Sequence, residues 1–160
     1  MTPTHPPIFR ILAISPEEIE KVRKDHRDVS DRPAVQLRAN GGEPLRCCLR
    51  NATSGDEILL FGYEPRLPAA SPYREIGAVY VHAKPCAGWV DESVYPSEWQ
   101  SRPQVLRAYD CRGWIHPSTS VHDGSDPEAA ISAVLENPEV VEVHSRNLAY
   151  GCFMFVARRG

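Results

Sequence analysis

The chain has 160 residues, a formal net charge of -3 and 24% charged residues. This length is typical of one compact domain, so we expect a single domain over residues 1–160, with a flexible N-terminal segment at residues 1–7. Without a net basic charge, non-specific nucleic-acid binding is not expected. No apolar run approaches the ~20 residues of a membrane-spanning helix, so no membrane partner is expected either.

The cysteine content indicates a reducing environment. The five cysteines are an odd number and cannot all pair within one chain. The N-terminal residues also lack the basic segment of a secretory signal peptide. Together these features predict a cytoplasmic protein.

Two segments have the local pattern of helix starts. Ser15 can cap a helix while Glu18 bonds back to it, and Pro16 occupies the first helical position, which predicts a short helix to about Lys24. Asp126 followed by a proline predicts the start of a second helix, which the Asn-Pro pair at 137–138 ends.

Short apolar segments predict a β-rich remainder. In chain order these candidate strands cover residues 8–14, 34–38, 45–49, 57–63, 78–82, 104–110, 113–121, 140–145 and 152–158. Turn-forming residues at 51–55 and 110–113 favour hairpins between the strands that flank them. The predicted fold class is α+β, a largely antiparallel sheet with two short helices.

The alternation of side chains along a strand places three ionisable residues together. Glu142, His144 and Arg146 point to one face of their strand, and Val141, Val143 and Ser145 point to the other. The simplest interpretation is an ordinary hydrated sheet face. The same alternation puts His82 beside Tyr80 on a second strand.

A third strand carries Arg107 beside Tyr109. If these three strands were neighbours, their His and Arg side chains would form one surface for a carboxylate or a phosphate, with a histidine able to transfer protons.

Metal binding is an alternative, because Cys48, His82 and Cys86 are acceptable zinc ligands and Cys152 is a further one. Cys47 lies directly before Cys48, and on a strand their side chains would point to opposite faces. The spacing alone therefore assigns no metal site.

Several segments resemble a bacterial family of uncharacterised proteins, domain of unknown function 1203. The matching segments are Arg46-Cys-Cys-Leu49, Gly55-Asp-Glu-Ile-Leu-Leu60, Pro72-Tyr-Arg-Glu75, Gly77-Ala-Val-Tyr-Val-His82 with Cys86, Leu106-Arg-Ala-Tyr109, Val143-His-Ser-Arg-Asn147 and Tyr150-Gly-Cys152. In the first segment the family pattern looks like Pro-Cys-Arg-x-Cys-Leu. Aligned with this chain, the second Cys of the pattern corresponds to Cys48, and Leu45 occupies the position of the first. The resemblance implies no activity, but its motifs contain several polar residues of interest: Tyr73, Arg74, Glu75, His82, Arg107, His144, Arg146 and Asn147.

These observations favour a small enzyme or ligand-binding domain that takes an anionic or polar small molecule, with no cofactor identified. The candidate catalytic residues are His82, His144 and Arg146, and the candidate substrate-binding residues are Arg74, Glu75, Arg107, Tyr109 and Asn147. The alternatives are a zinc-binding Cys/His protein and a noncatalytic interaction or accessory domain, with Trp89 and Trp99 on its contact surface.

Overall fold

A computed structural model describes residues 9–160 of the chain. The segment predicted to be flexible, residues 1–7, lies outside the described residues. Within the described part the chain forms two α-helices and mostly antiparallel strands, which confirms the predicted α+β class. The strands form two sheets, where the sequence predicted one.

The elements follow one another with long irregular segments between some of them. The helices are α1 (Pro16–Asp25) and α2 (Pro127–Leu135). The strands are β1 (Phe9–Leu12), β2 (Val35–Arg38), β3 (Pro44–Leu45), β4 (Arg50–Asn51), β5 (Glu57–Tyr63), β6 (Gly77–His82), β7 (Gln104–Tyr109), β8 (Ser120–His122), β9 (Glu142–Asn147) and β10 (Phe153–Arg159).

The first sheet has the strand order β1-β10-β9-β7-β8, and all its neighbouring strands are antiparallel. The second sheet has the order β2-β5-β6-β3-β4. In it, β3 runs parallel to β6 and the other pairs are antiparallel. The parallel pair brings the chain after β3 next to the end of β6.

Both predicted helix starts are confirmed. The Ser15 hydroxyl caps α1: it accepts a hydrogen bond from the Glu18 amide at 3.3 Å and donates to the Glu18 carboxylate at 2.9 Å. The Asp126 carboxylate accepts from the Ala129 amide at 3.1 Å at the start of α2. Neither helix within residues 9–160 has the length and apolar character needed to cross a membrane.

Apolar side chains cover both faces of the first sheet. One face packs against α2, with Val143 and Phe155 in the same core as Ile131. The other face packs toward the second sheet, where the Phe153 and Tyr63 rings lie 5.5 Å apart. Because the polar side of β9 shares this second face, it lies between the sheets and is not an ordinary hydrated face.

The segment 45–49 does not form the predicted strand. After β3 ends at Leu45, the chain turns, and the Leu49 amide donates to the Leu45 carbonyl at 2.9 Å. Leu49 has a φ of 55°, which is incompatible with an extended strand. The predicted hairpin between 45–49 and 57–63 is therefore wrong: β5 pairs with β2 and β6.

The predicted hairpin at 110–113 is confirmed, because β7 pairs with β8 in antiparallel fashion. Its returning strand is much shorter than the predicted 113–121. Before β8, the Thr119 hydroxyl accepts a bond from the Ala108 amide at 3.0 Å, and the His116 amide donates to the Ala108 carbonyl at 2.8 Å. These bonds replace a regular strand ladder over that part of the hairpin.

Candidate functional site

Four side chains of metal-ligand type converge on the second sheet. They are Cys47, Cys48, His82 and Cys86, and their ligand atoms all lie within 4.8 Å of one another. We call these four residues the thiol cluster. They come from the turn at 46–49, the end of β6 and the segment directly after β6.

The parallel pairing of β3 with β6 builds this cluster. Leu45 lies opposite Tyr80, and the Arg46 amide donates to the Tyr80 carbonyl at 2.8 Å. The turn that follows β3 is thereby held against the end of β6, where the His82 amide donates to the Cys47 sulfur at 3.3 Å.

The turn also explains why two adjacent cysteines reach the same point. The sulfur atoms of Cys47 and Cys48 are 4.0 Å apart. The expectation that they point to opposite faces was wrong, because strand alternation does not apply to residues in a turn. Both cysteines are buried, with 6% of each exposed.

The thiols have unequal proton affinities. Cys47 donates a hydrogen bond to the Cys48 sulfur, which lowers the pKa of Cys48 below its ordinary value. The same bond, followed by burial, raises the pKa of Cys47. Burial also raises the pKa of Cys86. Cys48 is therefore the most readily formed thiolate of the three, and the thiolate is the form that binds metal.

Cys86 connects the thiol cluster to solvent. It is exposed and lies at the edge of a groove of about 750 Å³ beside α1. Arg23 of α1 donates to the His82 carbonyl at 3.1 Å and fixes the helix against the cluster. Of the four residues in the thiol cluster, Cys86 alone lines this groove.

Three of the four alternative metal ligands named from the sequence belong to this cluster, and one does not. Cys152 lies before β10, where its sulfur contacts the Tyr150 carbonyl at 3.8 Å. Cys47 is the member of the thiol cluster that was not among the ligands expected from the sequence. Leu45, where the family pattern has its first Cys, is fully buried in the core of the second sheet.

A second group of polar residues is buried between the sheets. The His144 Nε2 and Glu142 Oε1 atoms are 2.9 Å apart, and Arg158 donates to the other Glu142 oxygen at 2.8 Å. Burial lowers the pKa of His144. Burial would raise the pKa of Glu142, but the bonds from His144 and Arg158 outweigh it and lower that pKa. A neutral His144 that donates to an ionised Glu142 is consistent with the lowered pKa values of both groups.

Two arginines meet on one carboxylate next to this pair. Arg107 and Arg146 each donate to the same oxygen of Glu75, Oε1, at 2.6 Å. Tyr109 is buried beside them, and its ring lies 4.5 Å from the ring of His144. Five of the candidate residues thus lie together: Glu75, Arg107, Tyr109, His144 and Arg146.

The other three candidates lie elsewhere. Arg74 bonds to the Glu64 carboxylate at 2.9 Å and to the Ala69 carbonyl. The Asn147 side chain accepts backbone bonds from residues 149 and 150, so it shapes its own loop. His82 is on β6 of the second sheet, whereas β7 and β9 are neighbours in the first, so the three strands do not form one surface.

The tryptophans named as a contact surface are engaged inside the protein. Trp99 is fully buried, stacks on Phe155 and donates to the Asn51 side chain at 3.0 Å. Trp89 is partly buried and donates to the Ile11 carbonyl at 2.9 Å. Neither ring therefore forms the exposed contact surface that the interaction hypothesis predicted.

A cavity of about 240 Å³ lies beside Tyr109, Glu142 and Arg158. Neither His82 nor His144 lines it. The cavity therefore does not join the two histidines into one pocket.

Comparisons with known proteins place the chain in a family. Residues 42–159, well over half of the chain, match the family described as "Protein of unknown function (DUF1203)". Comparison with curated proteins and with solved structures finds no match. The matched range contains the thiol cluster and the paired arginines, and the resemblance seen in the sequence is confirmed. The chain belongs to the DUF1203 family.

Proposed function

We propose that the protein binds a zinc ion through Cys47, Cys48, His82 and Cys86. The observation that carries this proposal is the convergence of four ligand atoms within 4.8 Å of one another. Three thiolates and one imidazole are a common ligand set for zinc in proteins. Sulfur ligands also favour zinc over magnesium or calcium, which take oxygen ligands.

The spacing of the ligand atoms supports this ion. A Zn–S bond of about 2.3 Å places the corners of a tetrahedron roughly 3.8 Å apart. The Cys47 and Cys48 sulfurs, at 4.0 Å, are already close to that separation. The wider pairs, up to 4.8 Å, need to close by about 1 Å. Cys86 is exposed, so its side chain is free to move toward the other ligands.

Four protein ligands favour a structural role for the ion. They fill a tetrahedral coordination sphere and leave no position for a substrate or a reactive water. The ion would then join the turn at 46–49, the end of β6 and the segment that holds Cys86, and its binding free energy would contribute to the stability of the second sheet.

The test is to measure metal content and affinity. Protein reconstituted with zinc and passed through a desalting column is expected to retain about one equivalent by elemental analysis. Cobalt(II) in place of zinc is expected to give thiolate-to-cobalt charge-transfer absorption. The C86S variant is expected to bind zinc at least about tenfold more weakly.

The matched control is C111S, since Cys111 is also exposed and lies outside the thiol cluster. It is expected to retain the metal content and affinity of the unmodified protein. A zinc content below about one tenth of an equivalent after reconstitution, or equal affinities of C86S and C111S, would overturn the proposal.

A further inference from the structure

The two arginines that share Glu75 lie diagonally across neighbouring strands. Arg107 on β7 lies opposite His144 on β9, and Arg146 is two residues further along β9 on the same face. Both guanidinium groups donate to one carboxylate oxygen at 2.6 Å. The donor atoms of two cations are therefore held within a few ångströms of each other by a rigid sheet.

The charges at this point do not balance. Two guanidinium groups face a single carboxylate, and the nearby Glu142 carboxylate is already bonded to His144 and Arg158. Within residues 9–160, the second oxygen of Glu75 accepts no bond from either arginine. The site keeps one excess positive charge.

Glu75 is held in a way that lets it leave. Its side chain is 49% exposed, whereas those of Arg107 and Arg146 are 25% and 13% exposed. Glu75 also lies between β5 and β6 and contributes nothing to a strand ladder. Because a half-exposed ion pair is a weak stabilising interaction, its carboxylate can be displaced without unfolding either sheet.

Polar atoms remain unused on the inner side of the arginines. Nε of Arg146 and Nδ1 of His144 are buried and have no hydrogen-bond partner among the described residues. His144 is fully buried. With its Nε2–H donated to Glu142, Nδ1 is an acceptor, while Arg146 Nε offers a donor. Buried polar atoms without partners are uncommon, and a ligand carboxylate would accept from Arg146 Nε, although it has no proton to donate to His144 Nδ1.

We infer that Arg107 and Arg146 form a binding site for a small dicarboxylate, in which Glu75 is an internal carboxylate that the ligand replaces. A dicarboxylate gives each guanidinium its own carboxylate and removes the excess positive charge. The short distance between the two donors fits acids with carboxylates a few bonds apart. This site shares no residue with the thiol cluster, so it does not depend on the zinc proposal.

The test is to compare succinate binding by the full-length protein and by E75Q, using isothermal titration calorimetry. Removal of the competing internal carboxylate is expected to strengthen succinate binding by about threefold or more. Adding R107Q to E75Q is expected to abolish this gain. Glu75 is exposed, so E75Q is expected to fold normally, and its circular dichroism spectrum checks this.

The matched control is E64Q, because Glu64 lies in the same irregular segment and also pairs with an arginine, Arg74. It is expected to bind succinate as the unmodified protein does. The inference is overturned if E75Q binds succinate no more tightly than the unmodified protein, or if E64Q gains equally. Tighter binding of inorganic phosphate than of succinate by E75Q would overturn the dicarboxylate assignment.

Discussion

Arg46 is a buried cation that connects the two sheets. Only 1% of the residue is exposed, and burial lowers its pKa to about 10. Its Nε donates to the Phe153 carbonyl of β10 at 2.7 Å, and its Nη1 donates to the Pro44 carbonyl of β3 at 2.5 Å. One planar guanidinium thus satisfies two carbonyls that belong to different sheets.

The R46K variant is expected to lower the free energy of unfolding by about 1–3 kcal/mol. A lysine ammonium lacks the planar fork of donors, so one buried carbonyl loses its partner. Urea denaturation measures the change. The R50K variant serves as control, because Arg50 is exposed, and it is expected to change stability by less than about 0.5 kcal/mol. Equal effects of the two variants would contradict the role of Arg46.

Residue type alone identified most of the thiol cluster. Cys48, His82 and Cys86 stood out in the sequence because cysteine and histidine are the usual zinc ligands. Cys47 was missed because alternation along a strand was applied to a turn. The chain turns at 46–49 with a positive φ at Leu49, and a leucine gives no sequence signal for that conformation.

Among the connections between elements, Gly124 has the tightest surroundings. It follows β8 with a φ of +86°, and a Cβ there would lie 2.4 Å from the carbonyl carbon of Ser101. Its carbonyl accepts a bond from the Ser101 amide at 3.0 Å. This contact fixes the segment before α2 against the segment before β7.

The G124A variant is expected to be much less stable than G55A. Gly55 has a similar φ of +92°, but nothing lies within 4 Å of its Cβ position. The conformational strain, about 1 kcal/mol, is common to both variants. The backbone clash adds roughly 2 kcal/mol to G124A alone. Thermal and urea unfolding measure the two variants side by side, and similar losses would show that the clash relaxes freely.

Elements with local signals were predictable, and their pairing was not. The capping residues Ser15 and Asp126 identify both helices from a few neighbouring residues. The partner of β3 lies more than 30 residues away in β6, and nothing near β3 in the sequence specifies a parallel neighbour. A short apolar run is also too short to show a hydrophobic periodicity that would distinguish a strand from a turn. For this reason residues 45–49 were predicted incorrectly as a strand.

For the molecule as a whole, stability is expected to fall with acid. The pKa of His144 is lowered from its ordinary 6.5, so the unfolded chain takes up this proton first, and below about pH 6.5 the free energy of unfolding decreases. The pKa of Glu142 is lowered from 4.5, so a second loss begins as the pH falls below that value. Both shifts stabilise the folded state only at higher pH.

The free energy of unfolding, measured by urea titration from pH 7.5 to 5, is therefore expected to decline less steeply in the H144F variant. The phenyl ring keeps the contacts with Tyr109 and Phe153 but cannot be protonated. A slope identical to that of the unmodified protein would mean that His144 titrates alike in the folded and unfolded chains.

The pairing of β1 with β10 has a consequence for biosynthesis. Phe9 lies opposite Arg159, so β1 leaves the ribosome about 140 residues before the strand with which it pairs. The second sheet, whose strands end at His82, can assemble much earlier. Until β10 emerges, the apolar residues Phe9 and Ile11 have no strand to cover them. During that interval the uncovered apolar strand makes the nascent chain prone to aggregation.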